Sequence, residues 1–131
     1  ILSTMATETM ATILAGEDKY VEAYDLLRTI KPQLDMEGVR LYHKMAYKAG
    51  HIEEAIKIGN QSYQHMPSYD TALVNALCCA LQQQVQPAVG WLECAVRDGL
   101  PDIQGAIDKQ DFDSIRQEPD FKQFVDGLQK S

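Results

Sequence analysis

The stretch AYKAGHIEEAI, residues 46–56, has the pattern of two helices joined at a glycine. Gly50 separates two segments of helical periodicity, and glycine permits a left-handed turn between them. After Gly50 the apolar and small residues recur at the i, i+3, i+4, i+7 spacing of a one-sided helix, which Pro67 ends. The stretch therefore predicts two helices joined by a tight turn.

The same pattern occurs on both sides of this stretch. Ala23, Ala55 and Ala88 occupy equivalent places in their segments and lie 32 and 33 residues apart. Each follows a helical segment and a turn, so the repeating unit is two helices in about 33 residues. A unit of this length is typical of a helical solenoid. We expect one domain over residues 1–131. It would consist of repeat-like units at 3–34, 36–67 and 69–100 and a helical cap at 101–131.

The remaining segments also favour helix, so the predicted class is all-α. No sustained period-2 run and no hairpin signal indicates a strand. Residues 1–15 predict a further helix, and its inward residues are expected to be Leu2, Ala6, Met10, Ile13 and Leu14. The cap should end in a helix that begins at Pro119, with an apolar stripe formed by Phe121, Phe124, Val125 and Leu128.

Composition excludes several classes of protein. The chain has 131 residues and a formal net charge of −7, which argues against binding to nucleic acid or to an anionic membrane surface. No apolar run approaches the length of a membrane span, so we expect no membrane insertion. Three cysteines without CxxC spacing predict reduced thiols and a cytoplasmic location. The chain begins at Ile1 without an initiator methionine, which suits either a trimmed chain or one end of a longer protein.

Residues 46–56, closed by Met66 and Pro67, resemble the tetratricopeptide repeat, a 34-residue motif with a glycine turn, an alanine near position 20 and a proline near position 32. Residues 74–95 are similar, and residues 11–30 are a weaker match. The segment from Leu100 to Phe121 is similar to the closing segment of many such arrays. The resemblance implies a right-handed α-solenoid of about three helix pairs with C-terminal capping helices.

The resemblance also implies that the first helix of each unit lines a concave groove for a partner. It places these candidate partner-binding residues in that groove: Glu37, Arg40, Lys44, Tyr47, Asn75 and Cys78. Arg40 and Lys44, one turn apart, suit an anionic group of a partner, and Asn75 suits the backbone of an extended peptide. Tyr47 adds an apolar wall with a polar tip. The alternative is that Arg40 and Lys44 are solvated or paired with Glu37 and Asp70.

These patterns predict a non-enzymatic scaffold that binds an extended peptide or a helix of an acidic protein partner. We expect no catalytic residue, no cofactor and no metal, because His43, His51 and His65 lack ligand spacing and no phosphate-binding loop is present. Two alternatives remain open. The chain would be the regulatory, C-terminal part of a larger enzyme or membrane protein, or it would form a homodimer through its N-terminal helix.

Overall fold

The computed structural model describes residues 3–129, and it is all-helical over this range, with no strand. This confirms the all-α prediction. The α-helices and two short 3-10 helices (η1 and η2) have these bounds: α1 Thr4–Gly16, α2 Tyr20–Thr29, η1 Lys31–Gln33, α3 Met36–Lys48, α4 Ile52–His65, α5 Tyr69–Leu81, α6 Val85–Arg97, α7 Ile103–Ile107, η2 Gln110–Ile115 and α8 Pro119–Gln129.

N-terminal caps recur at a near-constant spacing along the chain. In each cap a side-chain oxygen accepts a hydrogen bond from the backbone N–H three residues later, at 2.8–3.2 Å. The capping residues lie 32, 33 and 34 residues apart, and they are Ser3, Asp35, Ser68 and Asp102. Because an N-cap satisfies backbone donors that the helix itself leaves unpaired, these residues define where helices α1, α3, α5 and α7 begin.

The turns between paired helices repeat as well. Each contains one residue with a positive φ: Asp18 (61°), Gly50 (90°) and Gln83 (60°). The residue after it donates a backbone hydrogen bond of 2.8–2.9 Å to a carbonyl five positions earlier. The pairs are Lys19 to Leu14, His51 to Ala46 and Gln84 to Cys79. This is the Schellman arrangement that ends a helix in a left-handed residue, and it confirms the turn predicted at Gly50.

The chain divides into two compact units, Ile1–Met66 and Pro67–Ser131. In the first unit α1 packs on α2, α2 on α3, and α3 on α4. In its core Ala23, Leu27 and Ala55 are fully buried, and Tyr24 and Tyr42 are only 1% exposed. The alanines allow close approach of neighbouring helices, whereas the two tyrosines are the largest fully buried side chains of this unit.

In the second unit α5 packs on α6 and on η2, and α8 packs on α6. Helix α5 is buried over most of its surface, which is typical of a helix covered on two sides. The Ser114 hydroxyl donates to the Ala80 carbonyl at 3.0 Å, and the Arg116 guanidinium donates to the carbonyls of Ile107 and Lys109 at 2.9 and 3.0 Å. These bonds tie the irregular segment after α7 to the rest of this unit.

One prediction about α1 is wrong. Met10 and Ile13, expected to face inward, are 42% and 56% exposed, whereas Thr7 and Ala11 are buried. The apolar pattern of a helix does not determine which side meets its neighbour, and here the side with the smaller residues packs against the rest of the unit. Leu2 lies outside the described residues.

Candidate functional site

The predicted binding residues of the first unit lie on α3. Arg40 donates through Nη1 to the Glu37 Oε1 at 3.2 Å, so the expected pairing of these two residues is present. The Glu37 side chain is 79% exposed and that of Arg40 is 28% exposed. The pair therefore remains in contact with solvent, where such an ion pair contributes little to stability.

Lys44 and Lys48 continue the row that Arg40 begins. Residues four apart on a helix lie one above the other, so these three cations follow one side of α3. Lys44 is exposed and forms no ion pair with a carboxylate anywhere in the part of the chain that the structure describes. The Lys48 Nζ lies 5.4 Å from the ring centroid of Tyr20 and 5.7 Å from that of Tyr47. The α3 cationic face, defined here as Arg40, Lys44, Lys48 and the Tyr47 ring, thus combines positive charge with aromatic surface.

The two predicted residues on α5 are buried. Asn75 is 1% exposed and Cys78 is fully buried. Neither polar atom of the Asn75 side chain has a hydrogen-bond partner within residues 3–129. Burial is the main reason that the pKa of the Cys78 thiol is raised to about 12, with smaller contributions from Cys79 and Asp111. In this conformation neither side chain is accessible to a partner, although both lie on the predicted helix.

A polar cluster that the sequence patterns did not indicate lies inside the first unit. The carboxylate of Glu54 accepts hydrogen bonds from the hydroxyls of Tyr24 and Tyr42. The rings of these tyrosines are stacked with centroids 5.4 Å apart, and the His51 ring stacks on Tyr24 at 4.2 Å. The cluster joins α2, α3 and α4, since each helix or its adjoining turn contributes at least one member.

Electrostatics in this cluster favour the ionised Glu54. Burial by itself would raise the pKa of Glu54, but the tyrosine hydrogen bonds and the nearby Lys31 and Arg28 outweigh it, and the pKa is lowered. Burial, and next the Glu54 contact, raises the pKa values of Tyr24 and Tyr42. Glu54 is therefore a permanent acceptor and the tyrosines are permanent donors near neutral pH.

A weak signal for this cluster is present in the sequence. Tyr24 lies in the apolar stripe of its helix, and Tyr42 lies in the broad apolar arc of α3. A buried tyrosine hydroxyl needs a hydrogen-bond partner, so two inward tyrosines predict a polar group between them. The identity of that group depends on the crossing of three helices, which periodicity does not supply.

Within residues 3–129, no three His, Cys, Asp or Glu side chains are grouped so that they could hold a metal ion. None of the helices in this range combines the length and the apolar character needed to cross a lipid bilayer.

Comparison of the chain with known protein families, with curated proteins and with solved structures found no match.

Proposed function

We propose that this chain is a non-enzymatic protein-interaction module, built as a tetratricopeptide-like solenoid, and that its α3 cationic face binds an acidic segment of a partner protein. The regular spacing of the N-caps and of the left-handed turns supports the repeat architecture. The binding role rests on one observation, the row of three cations on α3.

The charge distribution makes this row distinctive. The chain carries 19 acidic and 12 basic residues, yet α3 has three cations and a single acid, Glu37. Glu37 forms an ion pair with Arg40, so Lys44 and Lys48 remain to attract a negatively charged ligand. Tyr47 beside them offers an apolar surface, and Tyr and Arg are enriched at binding interfaces.

A random library of 12-residue peptides displayed on phage tests this proposal without knowledge of the partner. Selection on the wild-type chain should enrich peptides rich in Asp and Glu. Fluorescence anisotropy with an enriched peptide should then show weaker binding to the variant Arg40→Gln/Lys44→Gln, by roughly fivefold or more, because two charge-assisted contacts are lost.

The matched control removes two cations from the second unit, Lys109→Gln/Lys122→Gln, and should leave the affinity within a factor of about two, the range of a screened, distant charge change. Failure to enrich acidic peptides would overturn the proposal. An equal loss of affinity in both variants would overturn it too, because it would mean attraction by overall charge and not by this face.

A specific observation favours self-association as a second candidate function. Met5, Met10 and Ile13 on α1 are 79%, 42% and 56% exposed, and Glu8 is the only charged residue in that helix. An apolar face with so little charge does not repel a second copy of itself, so it suits a symmetric dimer. Sedimentation velocity over a concentration series should show a dimer that Met5→Glu/Ile13→Glu abolishes. A wild-type chain that stays monomeric would exclude this function.

A further inference from the structure

The first unit also has a concave surface, formed by η1, the start of α3 and α4. It consists of two adjoining hollows of about 210 and 500 Å³ that share Leu34, Val39 and Gln61. We call the two together the Val39 cleft. Its walls in the larger hollow are mainly apolar, and Met36 and Met66 stand there as flexible side chains that adapt to an inserted group.

This cleft and the α3 cationic face lie on opposite sides of the same helix. At about 100° per residue, Val39 and Tyr42 point about 140° and 160° away from Lys44, the middle of the row of three cations. The cleft is therefore a separate surface, and a partner bound to it does not compete for the α3 cationic face.

The smaller hollow carries two positive charges. Lys31 and Lys57 both line it, both are exposed, and neither forms an ion pair with a carboxylate among residues 3–129. Glu54 lines the same hollow, but its oxygens already accept the hydrogen bonds of Tyr24 and Tyr42. Lys31 also lowers the pKa of Glu54, so these two groups attract each other. With Lys31, Lys57 and the ionised Glu54 in its lining, the smaller hollow keeps an excess of one positive charge.

The apolar hollow and the two lysines together indicate which chemical groups a ligand of this cleft carries. Large apolar side chains fit the hollow between Leu34, Val39 and Met66, and a carboxylate fits between Lys31 and Lys57. In an extended peptide, residues two apart lie about 7 Å from each other on the same side of the backbone, and the two hollows adjoin at Leu34, Val39 and Gln61.

We propose that the Val39 cleft is a second docking site, for a partner peptide in which an Asp or Glu lies two residues from a large aliphatic or aromatic side chain. The lysines bind the carboxylate, and the apolar hollow accepts the large side chain. The site acts independently of the α3 cationic face.

Nuclear magnetic resonance of the isotope-labelled chain tests this with three short, end-blocked peptides. The probe is Gly-Glu-Ser-Phe-Ser-Gly, and the two controls replace its Glu by Gln or its Phe by Ser. Titration with the probe to millimolar concentration should shift amide signals within 31–39 and 57–66. Either control peptide should bind at least about fivefold more weakly, since each lacks one of the two recognised groups.

Variants then separate this site from the other one. The variant Lys31→Gln/Lys57→Gln changes two exposed side chains, so it should keep the fold. It should lower the affinity for the probe peptide by about the same factor as the replacement of the probe's Glu by Gln. Arg40→Gln/Lys44→Gln should leave this titration unchanged even if it abolishes binding at the α3 cationic face. The two proposals therefore succeed or fail separately.

Three results would overturn the inference. One is the absence of saturable shifts in the two segments, and another is equal binding of probe and control peptides. The third is concentration-dependent shifts at the same residues without any probe, which would show that a second copy of the chain occupies the cleft.

Discussion

The hydroxyl of Tyr24 on α2 donates a 2.5 Å hydrogen bond to Glu54 on α4, thirty residues later in the chain. Tyr42 on α3 donates to the other carboxylate oxygen, so a single side chain joins three helices of the first unit. Such a bond between residues far apart in sequence ties helices that local periodicity only places side by side.

Glu54→Gln should destabilise the first unit by about 1–3 kcal/mol, because an amide has only one acceptor oxygen and leaves one tyrosine hydroxyl without a good partner. Urea unfolding followed by circular dichroism measures this change. The matched control is Glu53→Gln, an exposed neighbour on the same helix, which should change the free energy of unfolding by less than about 0.5 kcal/mol. Equal effects of the two substitutions would contradict a structural role for the cluster.

Glu54 should also make the stability of the chain depend on acid pH. Its pKa in the folded state is lowered from the ordinary value of 4.5, so its stabilising contribution is present above that value. The contribution is lost as the pH falls through the folded pKa. Urea unfolding at a series of pH values should therefore show wild type losing its advantage over Glu54→Gln below pH 4.5. A difference between the two proteins that stays constant through this range would refute the assignment.

A pair of glycine substitutions tests the turn geometry. Gly50 has a φ of +90°, a region that L-residues rarely adopt, so Gly50→Ala should cost about 1–2 kcal/mol. Gly90 lies inside α6, and a Cβ atom there would have open space within 4 Å beyond its chain neighbours and the backbone of its own helix. Gly90→Ala should therefore stabilise the helix by about 0.5–1 kcal/mol. Melting temperatures of the two variants should move in opposite directions, and a shift in the same direction would contradict the structure.

The cysteines should differ in reactivity. Burial raises the pKa of Cys78 to about 12, so almost no thiolate is present near neutral pH, and the side chain is also inaccessible. Cys94 is only partly buried and should react first with iodoacetamide. Peptide mapping by mass spectrometry after brief labelling should find Cys94 modified and Cys78 unmodified until urea is added. Labelling of Cys78 in the folded chain at the rate of Cys94 would show that α5 is more accessible than its burial indicates.

Replacement of Asn75 tests whether its side-chain amide stabilises the folded chain. The side chain is buried without a hydrogen-bond partner in the described part of the chain, so its desolvation is not offset. Asn75→Leu, which has the same branching at Cγ, should raise the free energy of unfolding by about 1 kcal/mol. Asn60→Leu, on the exposed side of α4, is the control and should change it by less than about 0.5 kcal/mol. A loss of stability in Asn75→Leu would show that the amide makes contacts that hold α5.

The position of part of the α3 cationic face could be predicted from the sequence. The spacing of Arg40 and Lys44 placed them together on one side of a helix, because side-chain position on a regular helix follows from residue number alone. Asn75 and Cys78 were expected at the surface, yet they are buried, since the exposure of a helix side depends on what packs against it. The Val39 cleft combines η1, α3 and α4, and no local pattern brings those segments together.

The local amino-acid sequence determined where helices begin and end and where the chain turns between them. Periodicity predicted the helices, Gly50 predicted a left-handed turn, and the three alanines predicted a unit of about 33 residues, because each of these depends on short-range hydrogen bonds and sterics. Tertiary structure alone decided which side of α1 is covered, that Tyr24 and Tyr42 share Glu54, and that Lys31 and Lys57 meet at one hollow. Such relationships are set by how helices cross, and crossing depends on the fit of whole surfaces rather than on neighbouring residues.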